Sequence, residues 1–313
     1  MSMAFVFPGQ GSQEVGMGKA LADAFPAARE VFGEVDDALG QNLSKLMFEG
    51  PDDALRLTEN AQPALMAVSI AVVRTLAAEG GFSLADSASF VAGHSLGEYS
   101  ALAAAGSFGL ADTARLLKTR GQAMQKAVPV GEGAMAALLG LELDVARAVA
   151  ADAAGGGVCT VANDNSPGQV VVSGDTAAVE RAVELAKEKG AKRAVLLPVS
   201  APFHCPLMAP AADAMAEALE TTVINAPNPI LVANVTAESV ADPDTIRRLL
   251  VEQVTGAVRW RECVLYLKNQ GVDRLVEAGA GKVLSGLARR IDRELAATSV
   301  GGPGDVEEFL ESL

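Results

Sequence analysis

Between Phe90 and Ser107 the chain reads FVAGHSLGEYSALAAAGS: an apolar run, a serine between two glycines, then an alanine-rich run. This is the pattern of a strand that gives way to a helix across a sharp turn, and it limits the fold because the same alternation recurs along the chain. Strands are expected at MAFVF (Met3 to Phe7), Ser89 to Ala92, Pro229 to Val235 and Arg274 to Glu277. Between and after them lie helical patterns at Met17 to Leu39, Ala61 to Ala78, Leu96 to Ala105, Ala111 to Val128, Pro206 to Leu219, Pro243 to Val254, Trp260 to Gln270 and Lys282 to Ile291. Strands alternating with helices predict a parallel sheet with helices packed on it. The GlyGlyProGly run near the end reads as a turn before an amphipathic tail.

Residues 131 to 199 break this rhythm. They read as strand AMAALLGL, helix DVARAVAADA, strand VCTVAN, turn NSPG, strand QVVVSG, helix TAAVERAVELAKEKG and strand RAVLLPV. The order β-α-β-β-α-β is that of the split βαβ, or ferredoxin-like, unit. The expected architecture is therefore one larger α/β domain, residues 1–129 and 200–313, interrupted by a small subdomain at 130–199.

A chain of 313 residues that is 50% hydrophobic can bury a sizeable core. No basic segment precedes the first apolar run, and no run of about 18 apolar residues is evident, so neither a secretory leader nor a membrane span is expected and the cytoplasm is the default. The three cysteines, Cys159, Cys205 and Cys263, lack metal-ligand spacing and read as small hydrophobes, so no metal site is expected. A net charge of −14 disfavours nucleic acid and anionic membrane as partners.

Gly93-His94-Ser95-Leu96-Gly97 fits G-x-S-x-G, a turn that presents a serine hydroxyl above the sheet. A helix starting at Leu96 sets unpaired amides and the positive end of its dipole beside that serine, which favours an oxyanion there. The plainer alternative is a serine that caps a helix. A nucleophilic serine needs a base, and the chain has only two histidines. His94 adjoins Ser95 on a tight turn, where neighbouring side chains diverge, so His204, in the loop VSAPFHCPL, is the better candidate. Cys205 could be a thiol nucleophile but lacks a helix-terminus setting.

On the helix from Ala111, Arg120 shares a stripe with Thr113, Leu116, Leu117, Met124 and Ala127. A guanidinium on an apolar stripe must find an anion. That anion is either a protein carboxylate in a structural ion pair or a ligand carboxylate gripped by bidentate hydrogen bonds, unless the long stem carries the charge out to water.

These residues occur within a larger set: FPGQGSQ (Phe7 to Gln13), GHSLGE (Gly93 to Glu98), KTRGQAM (Lys118 to Met124), NSPGQVVVSG (Asn165 to Gly174), PFH (Pro202 to His204), VEQVTGAVRW (Val251 to Trp260) and EAGAGKVLSGL (Glu277 to Leu287). In this order and spacing they resemble the malonyl-CoA:acyl carrier protein transacylase family, the malonyl acyltransferases of bacterial fatty acid synthesis, over nearly the whole chain. The resemblance implies an α/β-hydrolase-like large domain with a ferredoxin-like insert. It implies Ser95 as the nucleophile that accepts a malonyl group and His204 as its base. It further implies backbone amides of Gln10 and Leu96 as the oxyanion hole, and Arg120 as the grip on the malonyl carboxylate. Gln253 matches the residue whose main chain orients the histidine, with its side chain facing the pocket; His94 and Asn163 fall close to substrate. Phe203 departs from the serine common in many bacterial members and implies a pocket narrowed against branched acyl groups. The implied partners are malonyl-CoA and an acyl carrier protein, with no cofactor; the carrier could serve fatty acid or polyketide synthesis.

Other readings fit less well. An esterase or thioesterase would share G-x-S-x-G, but its usual carboxylate cannot be identified here. The run GAGAGKV lacks the first glycine and the Ser or Thr of a P-loop, and GQGSQE does not complete G-x-G-x-x-G. A non-catalytic binding protein is the third. Because acyl carrier proteins are acidic, a local basic patch is expected despite the net charge, with Lys118, Lys126, Lys187, Lys189, Lys192 and Arg193 as candidates.

Overall fold

The computed structural model describes residues 2–313. Among these residues ten strands form two sheets. The larger has the order β10-β9-β1-β2-β7-β8 and contains β1 (Met3–Phe7), β2 (Ala88–Gly93), β7 (Ile230–Val232), β8 (Ser239–Val240), β9 (Arg274–Ala278) and β10 (Ala296–Val300). All its pairings are parallel except β7 with β8. The smaller sheet, order β4-β5-β3-β6, is antiparallel and contains β3 (Gly133–Leu139), β4 (Cys159–Ser166), β5 (Gln169–Asp175) and β6 (Arg193–Leu196).

The central strand β1 is apolar at every position because both its faces are covered. Phe5 and Phe7 pack into the core beneath the helices Thr58–Gly80 and Leu110–Ala127, whereas Ala4 and Val6 point the other way, toward Trp260, Val264 and Leu284. The small sheet alternates likewise. Ala136, Leu138, Val170 and Val172 pack against its own helices, Leu143–Ala154 and Thr176–Glu188. Met135, Ala137 and Val171 join the core of the large sheet instead.

Two joints fix the small sheet to the large one. Asn163 bridges to Val258, with Asp164 N–H donating to Val258 O (3.0 Å) and Val258 N–H to Ala162 O (2.8 Å). Beside them Arg261 pairs with the buried Asp164 at 2.8 Å. Where the chain passes to and from the small sheet, the Gln125 side-chain amide donates to Ser200 O at 3.1 Å, tying the two crossings together.

Several expectations need correction. The helix expected over Met17 to Leu39 is two helices, Lys19–Ala24 and Pro26–Leu39, because Pro26 cannot continue a helix but can start one. The short helices Leu43–Glu49 and Asp52–Arg56 and the strands β8 and β10 were not anticipated. The helix Thr58–Gly80 is long and apolar enough to cross a membrane by length and composition, unlike the reading of the sequence, but 78% of that apolar window is buried within the protein.

Candidate active site

Ser95 sits at the end of β2 with φ 55°, in the left-handed region that non-glycine residues seldom occupy. Its turn is so tight that backbone touches backbone. A Cβ on Gly93 would lie 1.9 Å from the Gly97 carbonyl, and one on Gly97 would lie 2.2 Å from Phe7 O. The Ser95 N–H donates to Asn234 Oδ1 (2.8 Å), whose Nδ2 donates back to Gly93 O (2.7 Å), so the end of β7 locks the turn at the end of β2. The helix Gly97–Ala104 starts directly after the serine.

His204 lies 109 residues further along and is brought to the serine, its Nε2 2.7 Å from Ser95 Oγ. Its Nδ1 is 2.9 Å from Gln253 O and 3.1 Å from Gly256 O. Both carbonyls end the helix Pro243–Thr255, where the last carbonyls lack intrahelical partners. Because carbonyls only accept, Nδ1 carries the proton and Nε2 is left to accept from the serine hydroxyl. Burial, with the Arg120 charge nearby, pushes the His204 pKa down to about 3, so the ring is neutral at physiological pH.

Arg120 is buried to 1% exposure on the helix Leu110–Ala127, on the apolar stripe that the sequence indicates. Its Nη1 donates to Gln62 Oε1 (2.7 Å); its Nη2 donates to Gln253 Oε1 (2.8 Å) and Ser95 Oγ (3.2 Å). The guanidinium lies 5.7 Å from the centroid of the Tyr99 ring. Among the described residues no carboxylate pairs with it. Of the alternatives for Arg120, the internal ion pair is thereby removed, and so is the exposed charge on a long stem. Burial lowers its pKa, with Tyr99 and Glu98 opposing.

Ser95, His204 and Arg120 face one cavity of about 290 Å³. Gln10, Leu96, His94, Asn163 and Phe203 also line it, so eight of the nine residues singled out in the sequence meet there. The backbone N–H groups of Gln10 and Leu96 make no hydrogen bond among the described residues, and both stand beside the serine turn. Gln253 is the exception. Its main chain reaches His204, but its side chain is fully buried and does not line the cavity, donating to Ser95 O (3.0 Å) and Glu98 Oε2 (2.9 Å). His94 Nε2 meets Asn165 Oδ1 at 2.8 Å, and the His94 ring centroid lies 5.7 Å from that of Trp260. Cys205 is buried with its thiol pKa raised, which ends its candidacy as nucleophile. Among the described residues no cluster of three His, Cys, Asp or Glu side chains could hold a metal ion.

Four polar residues of the site were missed. Gln62 lies in an apolar helix stretch, NAQPALMAV, and the rule that flagged Arg120 would have flagged it. Asn165 opens NSPGQVVVSG, read as a turn and as part of the family resemblance but given no role of its own. Asn234 carries no local signal and Glu98 falls within GHSLGE without a role of its own, because their partners are 136 to 155 residues away. The basic candidates also divide: Lys118 is held by Gln41, Asn60 and Glu59, and Lys187 by Glu184, while Lys189, Lys192 and Arg193 form no ion pair among the described residues.

Residues 4–292 match the family described as acyl transferase domain. The malonyl CoA-acyl carrier protein transacylase of Escherichia coli K12 is 46% identical over 308 residues, 98% of each chain. The crystal structure of an acyl-carrier-protein S-malonyltransferase from Bartonella henselae superposes with a TM-score of 0.97 at 57% identity, covering 100% of this chain and 99% of that one. A malonyl-transacylase solved in complex with its type II PKS acyl carrier protein gives a TM-score of 0.97 at 43% identity, covering 100% of both chains.

Proposed function

The chain belongs to the acyl transferase domain family, and from that premise we propose that it moves a malonyl group from malonyl-CoA to the phosphopantetheine thiol of an acyl carrier protein, through a malonyl ester on Ser95. The observation that carries this reading is the pairing, in one cavity, of a serine hydrogen-bonded to a neutral imidazole with a buried guanidinium that has no internal carboxylate.

The steps follow from the geometry. Ser95 Oγ attacks the thioester carbonyl while His204 Nε2 takes its proton; the Gln253 and Gly256 carbonyls, at a helix C-terminus, stabilise the imidazolium that forms. The amides of Gln10 and Leu96 receive the oxyanion. The tetrahedral intermediate expels the CoA sulfur, which takes the proton from His204. The carrier thiol then attacks the acyl-serine, giving its proton to His204, and Ser95 leaves with that proton. Arg120 selects the acyl chain, since an acetyl group would leave the guanidinium without an anion. Losing one side of such a buried charged contact costs about 2 to 5 kcal/mol, roughly 30- to 5,000-fold.

We assign residues 1–129 and 200–313 to an α/β-hydrolase-like domain, supported by the serine turn at the carboxyl end of a central parallel strand, and 130–199 to a ferredoxin-like subdomain, supported by the strand order β4-β5-β3-β6. Three buried free thiols suit a reducing cytoplasm. A polyketide carrier is the second reading, favoured by the likeness to the complex with a PKS carrier; transfer rates to the two kinds of purified carrier decide it.

Intact-protein mass spectrometry after mixing with malonyl-CoA or acetyl-CoA tests the core of the reading. The wild type gains one malonyl adduct, Ser95→Ala gains none, and Arg120→Ala shifts toward acetyl. An adduct that survives in Ser95→Ala refutes the mechanism.

A further inference from the structure

The motif that carries the serine also carries Glu98, one helical turn beyond it, which the transfer steps do not use. Its carboxylate is buried to 1% exposure, yet among the described residues no cation pairs with it. Its Oε2 accepts from the backbone N–H of Asn234 (3.0 Å) and from Gln253 Nε2 (2.9 Å). A carboxylate enclosed in this way is costly unless its surroundings use it.

Gln253 shows what that use is. A side-chain amide can rotate by half a turn and exchange its oxygen for its nitrogen. Here both N–H bonds of Nε2 have acceptors, Glu98 Oε2 and Ser95 O, so Oε1 is left to meet Arg120 Nη2 at 2.8 Å. In the rotated state the amide nitrogen would meet the guanidinium donor to donor, and Glu98 would face an oxygen. Arg120 has two side-chain amides as its anchors, Gln62 and Gln253, and one of them owes its orientation in part to Glu98.

We propose that Glu98 is a positioning residue for malonyl selection: by fixing the Gln253 amide it sets the orientation in which Arg120 meets the substrate carboxylate. This rests on the malonyl-transfer reading above. The arrangement also explains why the carboxylate stands one residue removed from the guanidinium. In direct contact it would occupy the donors that the substrate needs; behind a neutral amide it orders them and leaves them open. The nucleophile is less exposed to the change, since Asn234 holds the Ser95 turn through its own side chain.

The test compares malonyl and acetyl loading by rapid-quench mass spectrometry at pH 8, above the value of about 7 to which burial raises Glu98. Glu98→Met, which removes the acceptors at similar length, is expected to lower malonyl kcat/KM by about 10- to 100-fold, chiefly through KM, and to change acetyl loading by less than about threefold. Glu98→Gln keeps one acceptor oxygen and is expected to restore most of the loss. In an Arg120→Ala background the effect of Glu98→Met disappears. Equal losses for malonyl and acetyl, or an undiminished loss without Arg120, overturn the proposal. Should Glu98→Met not fold, Gln253→Met replaces it: the same selectivity loss is expected, Glu98→Gln should add nothing to it, and an added loss overturns the relay. If the wild type takes no malonyl, the parent reading fails instead.

Discussion

The six-stranded and four-stranded sheets bury similar residues, Val, Leu and Ala above all, but they meet the cavity differently. The parallel sheet meets it with an edge. All its strands but β8 point the same way, so their carboxyl ends gather the Gly-Gln-Gly turn after β1, the serine turn after β2 and Asn234 beyond β7 on one side. The antiparallel sheet has strand ends on both sides and meets the cavity with part of a face, through Met135 and Asn163, and with the chain leaving β6. Edges of parallel sheets collect chemistry, and faces supply shape.

The comparison breaks if a reacting group proves to lie on the small sheet. Replacing His204 by Ala is expected to reduce malonyl loading by about 10³- to 10⁶-fold with the fold intact, as measured by single-turnover kinetics. Next in size is Leu138→Ala, in the core that the small sheet shares with its own helices. It is expected to cost about 2 to 5 kcal/mol of stability in urea titrations, while loading per folded molecule changes by less than about threefold. A collapse of loading with stability intact would show that the small sheet does chemistry. Asn165→Ala removes that sheet's hydrogen bond to His94 and is expected to raise the KM for malonyl-CoA by about 3- to 10-fold with little change in kcat.

The smallest expected effect is a flat line. With its pKa pushed down to about 3, His204 does not titrate between pH 8 and pH 5, so its basic form is not lost across that interval. The stability sign runs with this. A histidine whose pKa is lowered by folding adds stability above its unfolded value of about 6.5, lost as pH falls toward about 3. Glu98, raised from 4.5 to about 7, works oppositely: its contribution is present below about 4.5 and lost as pH rises through 7. Urea midpoints of His204→Gln and Glu98→Gln against pH separate the two.

What the sequence revealed follows the same division. β1 was legible because burial on both faces leaves an unbroken apolar run, β2 because its buried end follows an apolar stretch into the turn, and Ser95 because that turn requires glycines at 93 and 97. His204 was legible through scarcity, and Arg120 because a cation on an apolar stripe is conspicuous. β10, AATSV, escaped notice because it is an edge strand, only partly buried over most of its length, without the apolar run of a central strand. The orientation of the Gln253 side chain was illegible for another reason: it is set by Glu98 and Ser95, 155 and 158 residues away, and no local pattern encodes contacts at that separation.

The hydrogen bond between Gln125 and Ser200 has an architectural consequence. The two doorposts through which the chain passes to the small sheet stand side by side, one five residues past the arginine and the other four residues short of the histidine. A brief loop could therefore span the gap and bypass some seventy intervening residues without uprooting serine, histidine or arginine. Such a shortened chain would keep its reactive trio on an open ledge, with bulk water where the second wall used to be.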